Sequence, residues 1–474
     1  MTLNESLSFG HVKSHNSRES CWVVIQDRVW DVTDFLRAHP GGAEVILEYA
    51  GQDAKEIYEE IHASGMLEET LTSDRLIGNL LPSSNLAAKA TKVETAVIHT
   101  APDHHSPFTI PFAYQKPELY KLVFAADFEE VARKILTPKA WAFYSSAATD
   151  IVTHGMNKSL TRRVMFRPRI LRDVKHVTMK RKILGCESPA PFFISPAAMA
   201  RMAHPDGEVA LAKAAGTESI IQCTSSNASY PLSTIVNAGR KNQSFFLQLY
   251  AASLGVKGIF VTVDAPVPGK READERIAAE NIASAISGAV ASNDKKGGGM
   301  GRLMAAYVEK SLVWSDIAWI KHVSGLPVVL KGVQSAEDAM MAVRYGATSM
   351  FLSNHGGRSL DGAQASILVL LELHRICPEV FDQLEVYIDG GFERGSDILN
   401  AIALGATAVG IGRPYLYSLT YGQEGDELET STRLSGVTDI DQAHPGLVNT
   451  RDVDHLIAAD QEHAYIRWKP KTKG

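Results

Sequence analysis

EVALAKAAGTESIIQ (208–222), DAMMAVRYGATSMFLS (338–353) and DILNAIALGATAVGIG (397–412) share one rhythm. Each begins with a helical apolar pattern, meets a glycine, and runs on into a short β-rich stretch. The glycines, Gly216, Gly346 and Gly405, are predicted to be the left-handed residues that end each helix. Extending the search from these units gives eight short apolar runs: Phe192–Ser195, Ser219–Cys223, Phe245–Tyr250, Gly258–Val263, Pro327–Lys331, Ser349–Ser353, Glu385–Asp389 and Ala408–Ile411. Strands alternating with helices in this number predict a parallel (β/α)8 TIM barrel, an α/β fold. A doubly wound open sheet would want a Gly-rich turn after its first strand. Ser195 is followed instead by PAAMAR (196–201), so the barrel is the better reading.

At 474 residues the chain is long enough for a second domain. Its net charge of −6 gives no reason to propose nucleic acid as a partner. Cys21, Cys186, Cys223 and Cys377 lie far apart, which argues against a metal cluster or a disulfide framework. No apolar run approaches the roughly 18 residues that span a bilayer. The opening stretch, MTLNESLSFGHVKSHN, lacks both an apolar signal core and an Arg-rich amphipathic pattern.

Three regions follow from the patterns. Residues 5–82 form a small α+β domain: 21–36 (CWVVIQDRVWDVTDFL) alternates like strands, and AEVILEYAG and SDRLIGNLL read as short helices. Residues 83–116, rich in Pro, Ser, Thr and Ala, read as a linker. The barrel occupies 117–474. In the small domain HPGG (39–42) stands out, with a second histidine, His62, in IYEEIHASG. Two neutral imidazoles facing each other across a slot can supply both axial ligands of a haem iron, and Pro-Gly-Gly fixes a turn beside the first. In the barrel, SNHGGRSLDG (353–362) follows a strand directly. A histidine at a strand's C-terminal end stands where barrel chemistry occurs. An arginine three residues on can pair with a carboxylate, and the glycines between them let a ligand approach the backbone.

Taken whole, residues 9–80 resemble a cytochrome b5-like domain, on HNSRESCWVVIQDRVWDVTDFLRAHPGG and AGQDAKEIYEEIH. The resemblance implies haem b held by His39 and His62, with Val45, Ile46, Leu67 and Leu76 lining the crevice. From about 117 to 425, AWAFYSSAATD, FISPAAMARMAHPDGE, FFLQLY, FVTVDAPVPGKRE, LPVVLKG, SNHGGRSLDG, YIDGGFERG and GIGRPYLY run in the order of the FMN-dependent 2-hydroxy-acid dehydrogenases and oxidases. The two-domain architecture is similar to the flavocytochrome type of L-lactate dehydrogenase. That implies oxidation of an L-2-hydroxy acid on FMN, with electrons passing through haem to a cytochrome c-like acceptor. An oxygen-using oxidase, and a haem-only carrier with an inactive barrel, are the alternatives.

The resemblance also implies roles. His355 takes the substrate proton and Asp264 holds its imidazole. Arg358 and Tyr144 bind the substrate carboxylate with help from Arg271, and Tyr250 bonds the hydroxyl. Lys331 sits by the flavin ring. FMN draws on Ser195, Pro196, Ala197, Ala198, Ser225, Gln248, Thr262, Asp389, Gly390 and Gly391, with Arg394, Gly412 and Arg413 near the phosphate, after strands seven and eight. A homotetramer is implied, and the cytoplasm is the expected location, with the mitochondrial intermembrane space as the alternative if the true N-terminus is longer.

The sequence departs from the family at three places. The block after strand seven carries Glu393 where the family has the first of two arginines, and a carboxylate there is expected to repel phosphate. Asn227, in SSNAS, replaces a large apolar residue of the substrate wall. Only AAS separates strand three, ending at Tyr250, from LGVKGIFVTVD, so a barrel helix is missing near 251–254, and a second is cut short near 425 (YGQEGDELE). A missing helix is expected to bare an apolar face of the barrel.

Overall fold

The structure, a computed structural model, describes residues 6–37, 46–47, 49–55, 58, 71, 75–80, 114–248, 256–278, 282–283, 290–291, 299–300, 310–420 and 435–457. The chain folds as two compact units, 1–105 and 106–474. Almost all of the expected linker lies outside the described residues, as do the HPGG stretch with His39, and His62.

The first unit is built on a four-stranded sheet in the order Ser6–Leu7, Leu76–Leu80, Arg28–Asp31, Trp22–Ile25. Gln26 and Asp27, both at positive φ, make the tight turn that joins the last two as a hairpin. Alternation then sorts the side chains. Val23, Ile25 and Trp30 pack with Leu36 and Ala54 on one face, while Val24 and Val29 pack with Leu7 and Val12 on the other. The segment SDRLIGNLL, expected as a helix, supplies the strand Leu76–Leu80, because pairing with Arg28–Asp31 and Ser6–Leu7 overrides its local pattern. Ile46 and Leu76 do pack against the small core.

In the second unit all eight expected runs become strands of one closed parallel barrel. They are β1 (Phe192–Ile194), β2 (Gln222–Thr224), β3 (Phe245–Gln248), β4 (Gly258–Thr262), β5 (Val328–Val333), β6 (Ser349–Leu352), β7 (Glu385–Ile388) and β8 (Ala408–Ile411). Neighbours in sequence pair in space, and β8 returns to β1 through Val409–Ile411 against Phe192–Ile194. Gly346 and Gly405 end their helices at positive φ, as expected. Gly216 does not. It lies inside the helix Gly207–Glu218, and Ser219 takes the left-handed position. Gly216 is small for another reason, since a Cβ there would meet the Gln243 side chain at 2.6 Å.

Every second residue of a strand points into the barrel. One inward set, Phe193, Cys223, Phe246, Phe260, Val329, Phe351, Tyr387 and Ala408, fills the middle. Phe193 meets Phe246, Phe260, Phe351 and Tyr387 edge-on at 5.6–6.2 Å, an arrangement aromatic quadrupoles favour. Ile183, from the hairpin Arg181–Ile183/Cys186–Ser188, belongs to the same buried cluster. Two residues further along the strands the inward set turns polar: Ser195, Ser225, Gln248, Thr262, Lys331, Ser353 and Asp389. The barrel is therefore a solid apolar plug under a polar mouth.

The short connection between β3 and β4 does not open the barrel. β3 and β4 pair directly, Phe246 against Gly258 and Gln248 against Phe260. The outward residues Phe245, Leu247, Ile259 and Val261 are at most 4% exposed. Phe245 and Leu247 cluster with Ala212, Ala228, Leu232, Ile235 and Val256, and the helix Leu232–Ala238 supplies part of their cover. The expected bare face is thus absent at these four positions. The segment near 425 lies outside the described residues, as does the connection at 249–255. No helix among the described residues is long and apolar enough to cross a membrane.

Candidate active site

A cavity of about 280 Å³ opens at the C-terminal mouth of the barrel. The connection after β6 carries His355, Gly356 and Gly357, all at positive φ. A histidine held left-handed is strained, and such strain persists only where its surroundings enforce it. Here they do. The His355 amide donates to Ser353 Oγ at 3.1 Å, and the Gly357 amide donates to Asn354 Oδ1 at 3.0 Å. Asn354 and Asn157 exchange amide bonds at 2.8 and 2.9 Å. A Cβ on Gly357 would meet His154 backbone nitrogen at 2.8 Å, so only glycine fits.

Held this way, His355 brings Nδ1 to 3.2 Å from Asp264 Oδ1, whose side chain is fully buried just beyond β4. Burial works against the Asp264 charge. The attraction of His355 and Lys331, with the hydrogen bond from His355, outweighs it, and the carboxyl titrates below its ordinary range. Since a carboxylate only accepts, Nδ1 carries the proton and the Nε2 lone pair is left for another proton. Burial pushes the His355 pKa down; Asp264 opposes this and Lys331 adds to it, with a net lowering.

Lys331, at the end of β5, is 3% exposed. Its Nζ donates to Ser353 Oγ at 2.9 Å and stands 3.6 Å from Asp389 Oδ2. A chain of side chains crosses the mouth beside it: Ser225 Oγ donates to Gln248 Oε1 at 3.1 Å, and Gln248 Nε2 donates to Thr262 Oγ1 at 2.6 Å. Ser195, Pro196, Ala197 and Ala198 line the same cavity, as do Gly390, Gly391, Gly412 and Asn227.

Three guanidiniums surround the end of the helix Pro138–Ser145, whose last carbonyls have no partner within the helix. Arg358 donates to the carbonyls of Phe143, Tyr144 and Ser146. Arg413 donates to those of Tyr144 and Ser146 at 3.0 Å each and to Gly356 at 3.1 Å. Arg271 lies 5.8 Å over the Phe143 ring, with its Nε buried and unbonded. Burial, then repulsion by Arg413 and Arg271, lowers the pKa of Arg358; burial lowers that of Arg271 to about 10, with Asp274 opposing and Arg413 adding to the fall. Such a cluster calls for an anion.

Two expected residues stand elsewhere. Tyr144 is fully buried and its hydroxyl donates to the Met199 carbonyl, while its neighbour Phe143 lines the cavity. A helix presents adjacent residues about 100° apart, so only one of the two can face the site. Arg394 stacks 3.9 Å over Phe124 and is not among the lining residues. Tyr250 lies outside the described residues. Sequence reasoning passed over His154 and Lys158, both lining the cavity from the helix Val152–Thr161. Their four-residue spacing, one helical face, was the available signal.

The mouth suits a flavin mononucleotide. Ser195 Oγ and Asp389 Oδ1 are buried, line the cavity and have no hydrogen-bond partner. Gln248, Thr262 and Lys331 offer a polar row for a ring edge, and glycines give close approach after β7 and β8. Gly391 is the tightest point: its φ is +85° and a Cβ would run into the backbone of Asn157. Gly391→Ala is expected to cost about 1–3 kcal/mol and to lower flavin retention. An unchanged melting temperature and flavin content in that variant would contradict the packing described.

A barrel of this kind, with its histidine–aspartate pair, buried lysine and gathered arginines, defines a flavin enzyme acting on an anion. Comparison with known proteins agrees. Residues 132–450 match the FMN-dependent dehydrogenase family and residues 8–81 the cytochrome b5-like heme/steroid binding domain. L-lactate dehydrogenase (cytochrome) from Wickerhamomyces anomalus is 37% identical over 93% of this chain and 79% of its own length. The enzyme of that name from Saccharomyces cerevisiae is 35% identical over 94% and 80%. Among solved structures, a substituted flavocytochrome b2 with pyruvate bound aligns with a TM-score of 0.63 at 35% identity, covering 75% of this chain and 94% of that one. The chain belongs to the FMN-dependent dehydrogenase family, with a cytochrome b5-like haem domain ahead of the barrel. It is an FMN-dependent 2-hydroxy-acid dehydrogenase whose cofactors are FMN and haem.

Proposed function

We propose that the chain oxidises a short L-2-hydroxy acid, L-lactate first among them, and delivers the electrons through its haem to a cytochrome c-like acceptor. The observation that carries the reading is His355, paired with Asp264, lining one cavity with the buried arginines Arg358 and Arg271. The arginines anchor the substrate carboxylate, replacing the water they have lost with a charged partner. That places the 2-hydroxyl toward His355, whose Nε2 takes the hydroxyl proton while Asp264 stabilises the resulting imidazolium. Tyr250 is assigned to the same hydroxyl. Loss of the hydroxyl proton leaves the α-hydrogen and its electron pair to go to the flavin, the two-electron acceptor that FMN would supply. Lys331 would hold its positive charge beside the flavin ring and would stabilise the reduced form. Ser195, Gln248 and Thr262 orient the ring, and Asp389 with Gly390 and Gly391 orients the chain that carries the phosphate. His39 and His62 are the haem ligands in this reading.

Lactate is favoured by the names of the two relatives that match over both domains. Asn227 on the cavity wall adds a polar surface and favours small acids over aromatic ones. The test is an anaerobic spectrum of the full chain with L-lactate, glycolate or L-mandelate added in separate cuvettes. Reduced-haem bands are expected to appear most rapidly with L-lactate. Flavin bleaching with the haem left oxidised would point to an oxidase, and silence with every acid would end the proposal.

A further inference from the structure

Phosphates in barrels of this kind settle after the seventh and eighth strands. In this chain that end of the cavity carries Gly391, Phe392 and Glu393 after β7 and Gly412 and Arg413 after β8. A bare glutamate among them would oppose a phosphate dianion. Glu393 is not bare. Its Oε1 lies 2.5 Å from Lys158 Nζ, and its Oε2 lies 2.8 Å from Arg162 Nη2, with the carboxylate side chain only 11% exposed. Lys158 and Arg162 stand four residues apart on the helix Val152–Thr161 and its cap, so one helical face clamps both oxygens. Arg413, by contrast, spends its guanidinium on the carbonyls of Tyr144, Ser146 and Gly356 and on His154.

We propose that Lys158 is the residue that recognises the FMN phosphate in this chain, standing in for the arginine expected at position 393, and that Glu393 positions it. The ammonium has three donors. Glu393 takes one and Glu129, at 3.3 Å, another, which leaves one for the ligand. Both Lys158 and Glu393 line the cavity, so the pair borders the space a phosphate enters. His154, one turn earlier, supports the same end. Its Nδ1 lies 3.2 Å from an Arg413 nitrogen that can only donate, so Nδ1 accepts and the ring proton is on Nε2. The charge that the family places on the β7 loop has thus moved across the cavity to a helix, with the glutamate turned from an obstacle into a brace. The inference rests on the family's cofactor and is independent of which hydroxy acid is oxidised.

The test uses the full chain freed of its flavin and titrated with FMN and with riboflavin, which has no phosphate. Flavin fluorescence gives both dissociation constants. Lys158→Gln is expected to weaken FMN about ten- to a hundredfold, the worth of one charge-assisted hydrogen bond, and to leave riboflavin unchanged. Riboflavin binding also reports that the barrel is folded. Glu393→Arg added to Lys158→Gln is expected to restore the preference for FMN. If Lys158→Gln leaves FMN affinity intact, or weakens both flavins equally, Lys158 does not read the phosphate and the proposal fails. If the double variant stays as weak toward FMN as the single one, the exchange of charge between the two positions is overturned.

Discussion

Replacing His355 with glutamine is expected to lower kcat for 2-hydroxy-acid oxidation by about 10²–10⁴-fold, with FMN content and the binding of a 2-oxo acid little changed. The size follows from the proton. The Nε2 lone pair is the acceptor that the Asp264 contact leaves open, and glutamine cannot take a proton at that point. Binding survives because the arginines and the polar row across the mouth do not depend on the imidazole. The pH profile supplies a second reading of the same residue. Burial and Lys331 lower the His355 pKa despite Asp264, so its neutral, base-competent form persists to lower pH than for an ordinary histidine. The acid limb of kcat/KM is therefore expected below about pH 6.5, the ordinary histidine value. Asp264→Asn removes the anion that holds the pKa up. That variant should push the limb lower still while cutting the maximal rate, because the imidazolium loses its partner. A limb above pH 7, or a His355→Gln variant with undiminished kcat, would remove His355 from the role of base.

Arg358→Met is expected to reduce kcat/KM about 30- to several-thousandfold, the range for taking away one partner of a buried charge pair. The affinity for oxalate, a carboxylate inhibitor, should fall in parallel. Two effects have to be kept apart, since Arg358 also donates to the last carbonyls of the helix Pro138–Ser145. Arg358→Lys separates them. It keeps the charge but gives up the planar fork, so it should recover part of the lost affinity without restoring bidentate recognition. Flavin content that stays near one per chain excludes collapse of the mouth. If oxalate binds the Met variant as well as the parent, the substrate carboxylate is held by Arg271 or Arg413 instead.

These expectations draw on two kinds of information. Strand identity and strand order were legible in the sequence, because short apolar runs, helix-ending glycines and short connections each follow local rules. Gly346 and Gly405 behaved as such. Gly216 did not, since its need for a small side chain comes from Gln243, a residue brought beside it only by folding. The strand at Leu76–Leu80 was not legible for a similar reason: its partners are distant in sequence, and pairing outweighed the helical pattern. The polar mouth was legible wherever a site residue ends a strand, as with Ser195, Gln248, Thr262 and Lys331. It was not legible at Tyr144 against Phe143, where a helix's rotation settles which of two adjacent rings meets the cavity.

That a haem domain precedes a flavin barrel, and that a histidine and an arginine follow its sixth strand, could be read without any coordinates. Local patterns and motif spacing are written in one dimension. Direct pairing of β3 with β4 across so short a connection, and the neutralisation of Glu393 by Lys158 and Arg162, emerged only with folding. Burial and ion pairing depend on what the fold brings alongside, from more than 200 residues away along the chain in the case of Glu393.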